Sequence, residues 1–208
     1  MACVTLKDVS LCVGGTQVLE GVCGTLEKKA CVALLGANGA GKTLLLRLIY
    51  GLLLPSGGTL IKDKGLRQTF VFAKPALLQN ISALQNILFV LHLCNYPAHL
   101  RQTRAYDALA VAGLESYATA NAGVLSSGQA QRLAIARAWA VSPQLLLLDE
   151  PTTHLDEAST QRTEALIQQC HAQGCAILFS THDKEQATRL GQTIWQLQHK
   201  NLYIYPAP

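Results

Sequence analysis

Eight consecutive residues carry the clearest chemistry in this chain of 208 residues: Gly36-Ala37-Asn38-Gly39-Ala40-Gly41-Lys42-Thr43. They follow the pattern G-x-x-x-x-G-K-(S/T). Small residues at such positions let successive backbone N–H groups turn inward and cradle a polyphosphate. The lysine of the pattern reaches the β- and γ-phosphates and the hydroxyl after it holds Mg2+, roles that fall here to Lys42 and Thr43. The flanks fit this reading. Residues 30–35, Ala-Cys-Val-Ala-Leu-Leu, form a short apolar run typical of a buried parallel strand. Residues 44–54, LLLRLIYGLLL, continue as a predicted helix whose positive N-terminus would face the phosphates.

Three further stations can act on a phosphate. Leu145-Leu146-Leu147-Leu148-Asp149-Glu150 is an apolar run ending in two carboxylates. A buried strand would deliver Asp149 to the C-terminal edge of a sheet, where ligands of open α/β sheets bind. Asp149 is then placed to support Mg2+, and Glu150 to orient or deprotonate a water that attacks the γ-phosphate. Leu125-Ser126-Ser127-Gly128-Gln129 opens a helix with Ser126 as its N-cap, and a helix start is a second anion site. Alone it would be an ordinary cap. Ser180-Thr181-His182-Asp183 follows the apolar residues 175–179, so His182 stands at a strand end within reach of a γ-phosphate. A lone histidine in that place is more often structural.

The elements that must position these residues can be read from pattern. Residues 3–35 contain β-like runs broken by Gly14-Gly15 and Glu27-Lys28-Lys29, and a turn follows at Pro55-Ser56-Gly57-Gly58. Short strands are predicted at 59–63 and 68–72, and a helical stretch at 82–113 interrupted around Asn95-Tyr96-Pro97. A helix over 128–141, a strand over 144–149 and an amphipathic helix over 157–173 come next. The chain then reads as strand 175–181, helix 183–190 and strands 193–198 and 201–205. Strands alternating with helices predict an α/β fold with a mainly parallel sheet. Residues 1–208 form one domain in this reading, with 1–73 and 143–208 as core and 74–142 as an inserted helical subdomain.

Half of the residues are hydrophobic and 14% are charged, a balance that points to surface covered by a partner. No run reaches the roughly 18–20 apolar residues of a membrane span. The start, MACVTLKDVS, lacks the basic and apolar regions of a signal peptide, so a cytosolic location is expected. The net charge is +4 with the basic residues spread out, which points away from a nucleic-acid partner. The seven cysteines form no C-x-x-C pair and are expected to be reduced, buried thiols.

The order of the stations, with Pro151-Thr152 and Leu155-Asp156 between the carboxylates and His182, resembles the ATP-binding cassette (ABC) ATPase family over essentially the whole chain. The resemblance implies a P-loop NTPase core with a mainly parallel sheet, an N-terminal antiparallel β subdomain and an inserted helical subdomain. It implies that Glu150 is the catalytic carboxylate, His182 the switch histidine and Lys42 a catalytic phosphate ligand. ATP would be bound by Gly36, Ala37, Asn38, Gly39, Ala40, Gly41, Lys42, Thr43 and Leu44 of one subunit and clamped by Ser126, Ser127, Gly128 and Gln129 of another. Thr43 and Asp149 would hold Mg2+, and Asp156 would lie in the loop that crosses the interface of a homodimer sandwiching two ATP. The partners implied are integral-membrane permease subunits and an extracytoplasmic substrate-binding protein. The location implied is peripheral, on the cytoplasmic face of the inner membrane.

The chain also departs from the family pattern. Val13 stands where an aromatic residue stacks on adenine, Leu44 replaces a second hydroxyl, and Ala73 replaces the glutamine after Val71-Phe72. Ser127 replaces a glycine, and His154 takes a usually small position. A slow or specialised ATPase is the expectation. Three stretches are most similar to the tungstate importer ATPase subunit: Val71-Phe72-Ala73-Lys74-Pro75, Arg132-Leu133-Ala134-Ile135-Ala136-Arg137-Ala138-Trp139, and Thr181-His182-Asp183 with Gln186-Ala187 and Arg189-Leu190. They imply an importer of oxyanions of the tungstate or molybdate type. Residues 30–51 and 75–87 also resemble the haem-exporter ATPase subunit, and a soluble cassette ATPase without a permease is the remaining alternative.

Overall fold

The structure, a computed structural model, describes residues 1–207. It divides into two compact units. The first comprises Met1–Phe70, Gln144–Glu150 and the chain from Gly174 onward; the second comprises Val71–Pro143 and Pro151–Gln173.

The first unit is built from two sheets. β1 (Ala2–Val13), β2 (Thr16–Glu27) and β4 (Gly57–Lys62) form an antiparallel sheet in the order β2-β1-β4. The β1–β2 hairpin turns on Gly14 and Gly15, both at positive φ (56° and 80°), the conformation that matches the twist of tightly joined strands. The larger sheet runs β5-β6-β7-β3-β8-β9. Its strands are β3 (Cys31–Leu35), β5 (Gln68–Val71), β6 (Leu145–Leu148), β7 (Ala176–Thr181), β8 (Thr193–Gln198) and β9 (Asn201–Pro206). The pairs β6–β7, β7–β3 and β3–β8 are parallel, and β9 runs antiparallel to β8. Every residue of β3, β6 and β7 is buried, so these strands read as unbroken apolar runs rather than alternating ones.

One hydrophobic cluster joins the two sheets. Leu6, Leu19 and Leu26 from the antiparallel sheet meet Val32, Leu34, Leu147, Leu178 and Trp195, with Leu45, Leu46, Leu48 and Ile49 of helix α1 (Lys42–Tyr50). The helix starts two residues earlier than the sequence predicts and stops four residues sooner. Gly51 adopts φ 103°, and its N–H closes onto the carbonyls of Arg47 and Leu48, a glycine cap that releases Leu52 and Leu54 to solvent.

The second unit is helical: α2 (Ala83–Leu93), α3 (Arg101–Val111), α4 (Ser127–Ala140) and α5 (Glu157–Ala172). Both α2 and α4 begin with reciprocal capping boxes, Ser82 with Gln85 and Ser126 with Gln129. The end of α4 is held by Arg104 of α3. Its guanidinium donates to the Ala140 and Trp139 carbonyls at 2.8 and 3.0 Å and lies 3.6 Å over the Trp139 ring. The last helix of the chain, α6 (Lys184–Leu190), belongs to the first unit and is capped by Asp183.

All seven cysteines are free thiols, but only Cys3, Cys31, Cys170 and Cys175 are buried. Cys12, Cys23 and Cys94 are exposed, against expectation. Cys12 and Cys23 lie on strands of the antiparallel sheet, where alternate positions face water. Burial pushes the Cys31 and Cys175 thiols up to about 12.

Candidate nucleotide-binding site

The loop Gly36–Gly41 connects the C-terminal end of β3 to the first turn of α1. Its glycines are dictated by space and backbone. A Cβ on Gly36 would lie 2.8 Å from the Leu197 carbonyl oxygen, and one on Gly41 would lie 2.9 Å from Val18 Cγ1 while requiring φ 103°. Gly39, at φ 78°, faces open space. A chain held this way presents backbone rather than side chains along the loop, the arrangement that a polyphosphate needs. Leu44 packs its side chain against the core cluster, which leaves its backbone N–H as the group it can offer a phosphate.

Lys42 is 6% exposed and its ammonium is fully engaged. It donates to the carbonyls of Gly36 at 2.8 Å and Ala37 at 3.2 Å, and pairs with Glu150 Oε1 at 3.0 Å. Thr43 Oγ1 lies 2.9 Å from both carboxylate oxygens of Asp149. The other oxygen of Glu150, Oε2, is 3.0 Å from His182 Nδ1. A carboxylate only accepts, so Nδ1 is the nitrogen that carries the proton. Lys42, Thr43, Asp149, Glu150 and His182 thus meet at the C-terminal ends of β3, β6 and β7, three neighbouring strands of one sheet. Open α/β sheets bind ligands at that edge.

Sequence reasoning passed over one member of this group. Ser180 is completely buried in β7, donates to Asp149 Oδ1 at 2.8 Å and accepts the backbone N–H of Glu150 at 2.9 Å. The only signal was a hydroxyl two residues before His182 at the end of an apolar strand.

The donors Thr43 Oγ1 and Asp149 are oxygens, the ligand type of a hard cation, and so they fit Mg2+. Among the described residues no group of three or more His, Cys, Asp and Glu could hold a metal by itself. That matches a metal whose other ligands are phosphate oxygens and water.

The remaining predicted residues, Ser126–Gln129, belong to the second unit. Ser126 Oγ accepts the Gln129 N–H at 3.3 Å, and Gln129 Oε1 accepts the Ser126 N–H at 2.9 Å, so the Gln129 side chain is folded back onto its own helix start. Gly128 has a packing reason to be glycine. A Cβ there would lie 2.5 Å from Ser159 Oγ and 2.6 Å from Ser159 Cβ. Ser159 is fixed in turn by Asp156, the N-cap of α5, whose two carboxylate oxygens accept its N–H and its hydroxyl at 2.8 Å each. Those bonds hold the Asp156 carboxyl below the usual carboxylate range. We expect Gly128→Ala to lower stability by about 2 kcal/mol through overpacking. The same change in a Ser159→Gly background should cost under about 0.5 kcal/mol, since the obstructing atoms are gone. Thermal melts of the four proteins make the check; an equal cost in both backgrounds would contradict the packing account.

Two departures from the family pattern can also be placed. Val13 ends β1 and is 42% exposed, and His154 adopts φ 65° on an exposed stretch before Asp156.

Comparison with known proteins carries the same direction. The family model described as ABC transporter matches residues 19–153. The spermidine/putrescine import ATP-binding protein PotA of Legionella pneumophila is 33% identical over 209 residues, covering 96% of this chain and 57% of the relative. The sulfate/thiosulfate import ATP-binding protein CysA of Thermosynechococcus vestitus is 35% identical over 201 residues, covering 92% of this chain and 60% of the relative. The chain therefore spans little more than half the length of these two relatives. A probable sulfate/thiosulfate import ATP-binding protein CysA of Chlorella vulgaris is 31% identical, with 94% of this chain and 87% of the relative covered. Among solved structures, a dimeric ATP-binding cassette in a post-hydrolysis state bound to ADP and Pi superposes with a TM-score of 0.85 at 28% identity, over 99% of both chains. The cbiO1 subunit of Clostridium perfringens reaches a TM-score of 0.91 over 100% of this chain and 89% of its own at 24% identity, which speaks for the fold alone. The chain belongs to the ABC transporter family, and its α/β fold is that of the family's ATP-binding cassettes.

Proposed function

We propose that the chain is the ATP-binding and ATP-hydrolysing subunit of an ABC importer, working as a homodimer beneath a membrane permease. The observation that carries the ATPase reading is the meeting of Lys42, Thr43, Asp149, Glu150 and His182 at the ends of three adjacent strands, beside a loop whose glycines cannot be replaced without a clash. The backbone N–H groups of residues 36–44 receive the phosphates of ATP, together with the Lys42 ammonium. Phosphate oxygens, being charged, compete well against the two neutral loop carbonyls that Lys42 now holds. As Lys42 turns to phosphate, Glu150 Oε1 is released to take the proton of an attacking water, while Nδ1–H of His182 keeps the carboxylate oriented through Oε2. Thr43 and Asp149 would hold Mg2+, which supplies charge neutralisation at the phosphates. Ser126, Ser127, Gly128 and Gln129 of the second copy clamp the same nucleotide. Residues 1–208 act as one cassette, with 74–142 as its helical subdomain.

The permease partner is supported by apolar surface on the second unit. In the stretch 76–94, α2 buries Ile87 and Leu91 but exposes Phe89 and Leu93, at 46% and 62%, and Leu78 is 41% exposed nearby. No helix among the described residues is long and apolar enough to cross a membrane. Import rather than export is favoured by the names of the relatives, which are import ATP-binding proteins for spermidine/putrescine, sulfate/thiosulfate and Fe(3+) ions. An oxyanion cargo of the tungstate or molybdate type rests on the sequence resemblance, with the sulfate/thiosulfate relatives on its side. The chain expressed with its permease should sediment with membranes, and inverted or reconstituted vesicles should move tungstate or molybdate only with ATP. Recovery in the soluble fraction would contradict the permease partner. ATP-driven transport of neither oxyanion would contradict the cargo alone.

A further inference from the structure

We infer that Ser180 is a positioning residue for hydrolysis: one buried hydroxyl that fixes the metal-holding carboxylate of Asp149 and the proton-accepting residue Glu150 relative to each other. The inference rests on the ATPase reading above and assigns a role to a residue outside the recognised motifs.

The register places it. β6 and β7 run parallel with Leu148 opposite Phe179, so the next residues, Asp149 and Ser180, emerge side by side where the sheet ends. Ser180 has no exposure, and the residues before it in β7 are apolar. A hydroxyl has one proton to give, and Ser180 gives it to Asp149 Oδ1. Its lone pairs then receive the N–H of Glu150. The two bonds run in one direction, so the rotor has no freedom.

Each bond has a consequence. Asp149 accepts from two side-chain hydroxyls, Thr43 and Ser180. Thr43 is the one committed to metal, so Ser180 is the donor that keeps the carboxylate turned toward it. The second bond acts on backbone. Glu150 sits at φ 45°, a conformation that costs a non-glycine residue free energy and persists only where its surroundings over-determine it. The bond to Ser180 holds the Glu150 N–H while the chain leaves the strand and aims the carboxylate between Lys42 and His182. Loss of the hydroxyl would remove a donor from the metal-holding carboxylate and the acceptor from a strained backbone at the same time.

Ser180→Thr and Ser180→Val make the test, because the two side chains have nearly the same shape and differ in the hydroxyl. Three quantities are measured: phosphate release, affinity for a fluorescent ATP analogue, and affinity for Mn2+ in the ATP complex by electron paramagnetic resonance, the last in a Glu150→Gln background that does not turn over. Relative to Ser180→Thr, Ser180→Val should show kcat lower by about 10- to 100-fold and Mn2+ affinity lower by at least about 3-fold. KM for ATP and analogue affinity should stay within about twofold, since the phosphate loop is untouched. Equal kcat and equal Mn2+ affinity in the two variants would overturn the inference. If both branched side chains prevent folding, Ser180→Ala, which deletes one atom, takes their place: a wild-type rate and wild-type Mn2+ affinity would overturn it. A wild-type chain that neither binds the analogue nor releases phosphate would remove the ATPase reading and this inference together. Wild-type activity with insensitive variants would remove only the inference.

Discussion

Glu150→Gln is expected to bind ATP within a few-fold of the wild type and to release phosphate at least about 100-fold more slowly, the scale of a lost general base. The substitution is isosteric, so the side chain keeps its place between Lys42 and His182. What it loses is the charge that takes a proton from water. Binding should not suffer, because Glu150 competes with phosphate for the Lys42 ammonium; an uncharged amide competes less. With hydrolysis blocked, the ATP-bound sandwich dimer should accumulate and elute as a dimer in gel filtration only with ATP present. Phosphate release within about threefold of the wild type would rule out Glu150 as the proton acceptor.

Lys42→Met should abolish ATP binding, with the dissociation constant raised at least about 100-fold, equivalent to roughly 2.7 kcal/mol. The direction follows from charge. An ammonium against a phosphate oxygen in a site of intermediate dielectric contributes about 4 kcal/mol at 4 Å before desolvation is subtracted. Methionine is chosen because Lys42 is 6% exposed, so its methylene stem is part of the packing and should be kept. The variant should remain folded, since Glu150 retains its bond to His182. Titration with a fluorescent ATP analogue and circular dichroism measure the two effects separately. A dissociation constant changed by less than about fivefold, in a folded protein, would mean that the phosphates lie elsewhere.

The parts of the fold that were legible in the sequence are those buried on both faces. β3, β6 and β7 appear as short unbroken apolar runs because nothing in them alternates, and each run ends at a residue with chemistry. The glycine spacing of the phosphate loop was legible because backbone geometry leaves no substitute at Gly36 and Gly41. The end of α1 was not. Gly51 lies inside LLLRLIYGLLL, where apolar residues on both sides hide the left-handed cap that stops the helix. The exposure of Cys12 and Cys23 was not legible either, since it depends on which face of a two-sided strand meets water. Ser180 and Ser159 stayed hidden for a third reason. Each is a single hydroxyl whose partner is brought to it by register or helix packing, Asp149 from a distant strand and Gly128 from another helix. No local pattern announces such a pairing.

The central claim, that this chain binds and hydrolyses ATP at the ends of β3, β6 and β7, is tested most directly by measuring ATP binding and phosphate release on one purified preparation, with and without Mg2+ and with its permease present. The account predicts saturable ATP binding, phosphate release that requires Mg2+, and loss of release but not of binding in Glu150→Gln. A folded wild-type protein that binds no ATP and releases no phosphate, with the permease and Mg2+ supplied, would contradict it.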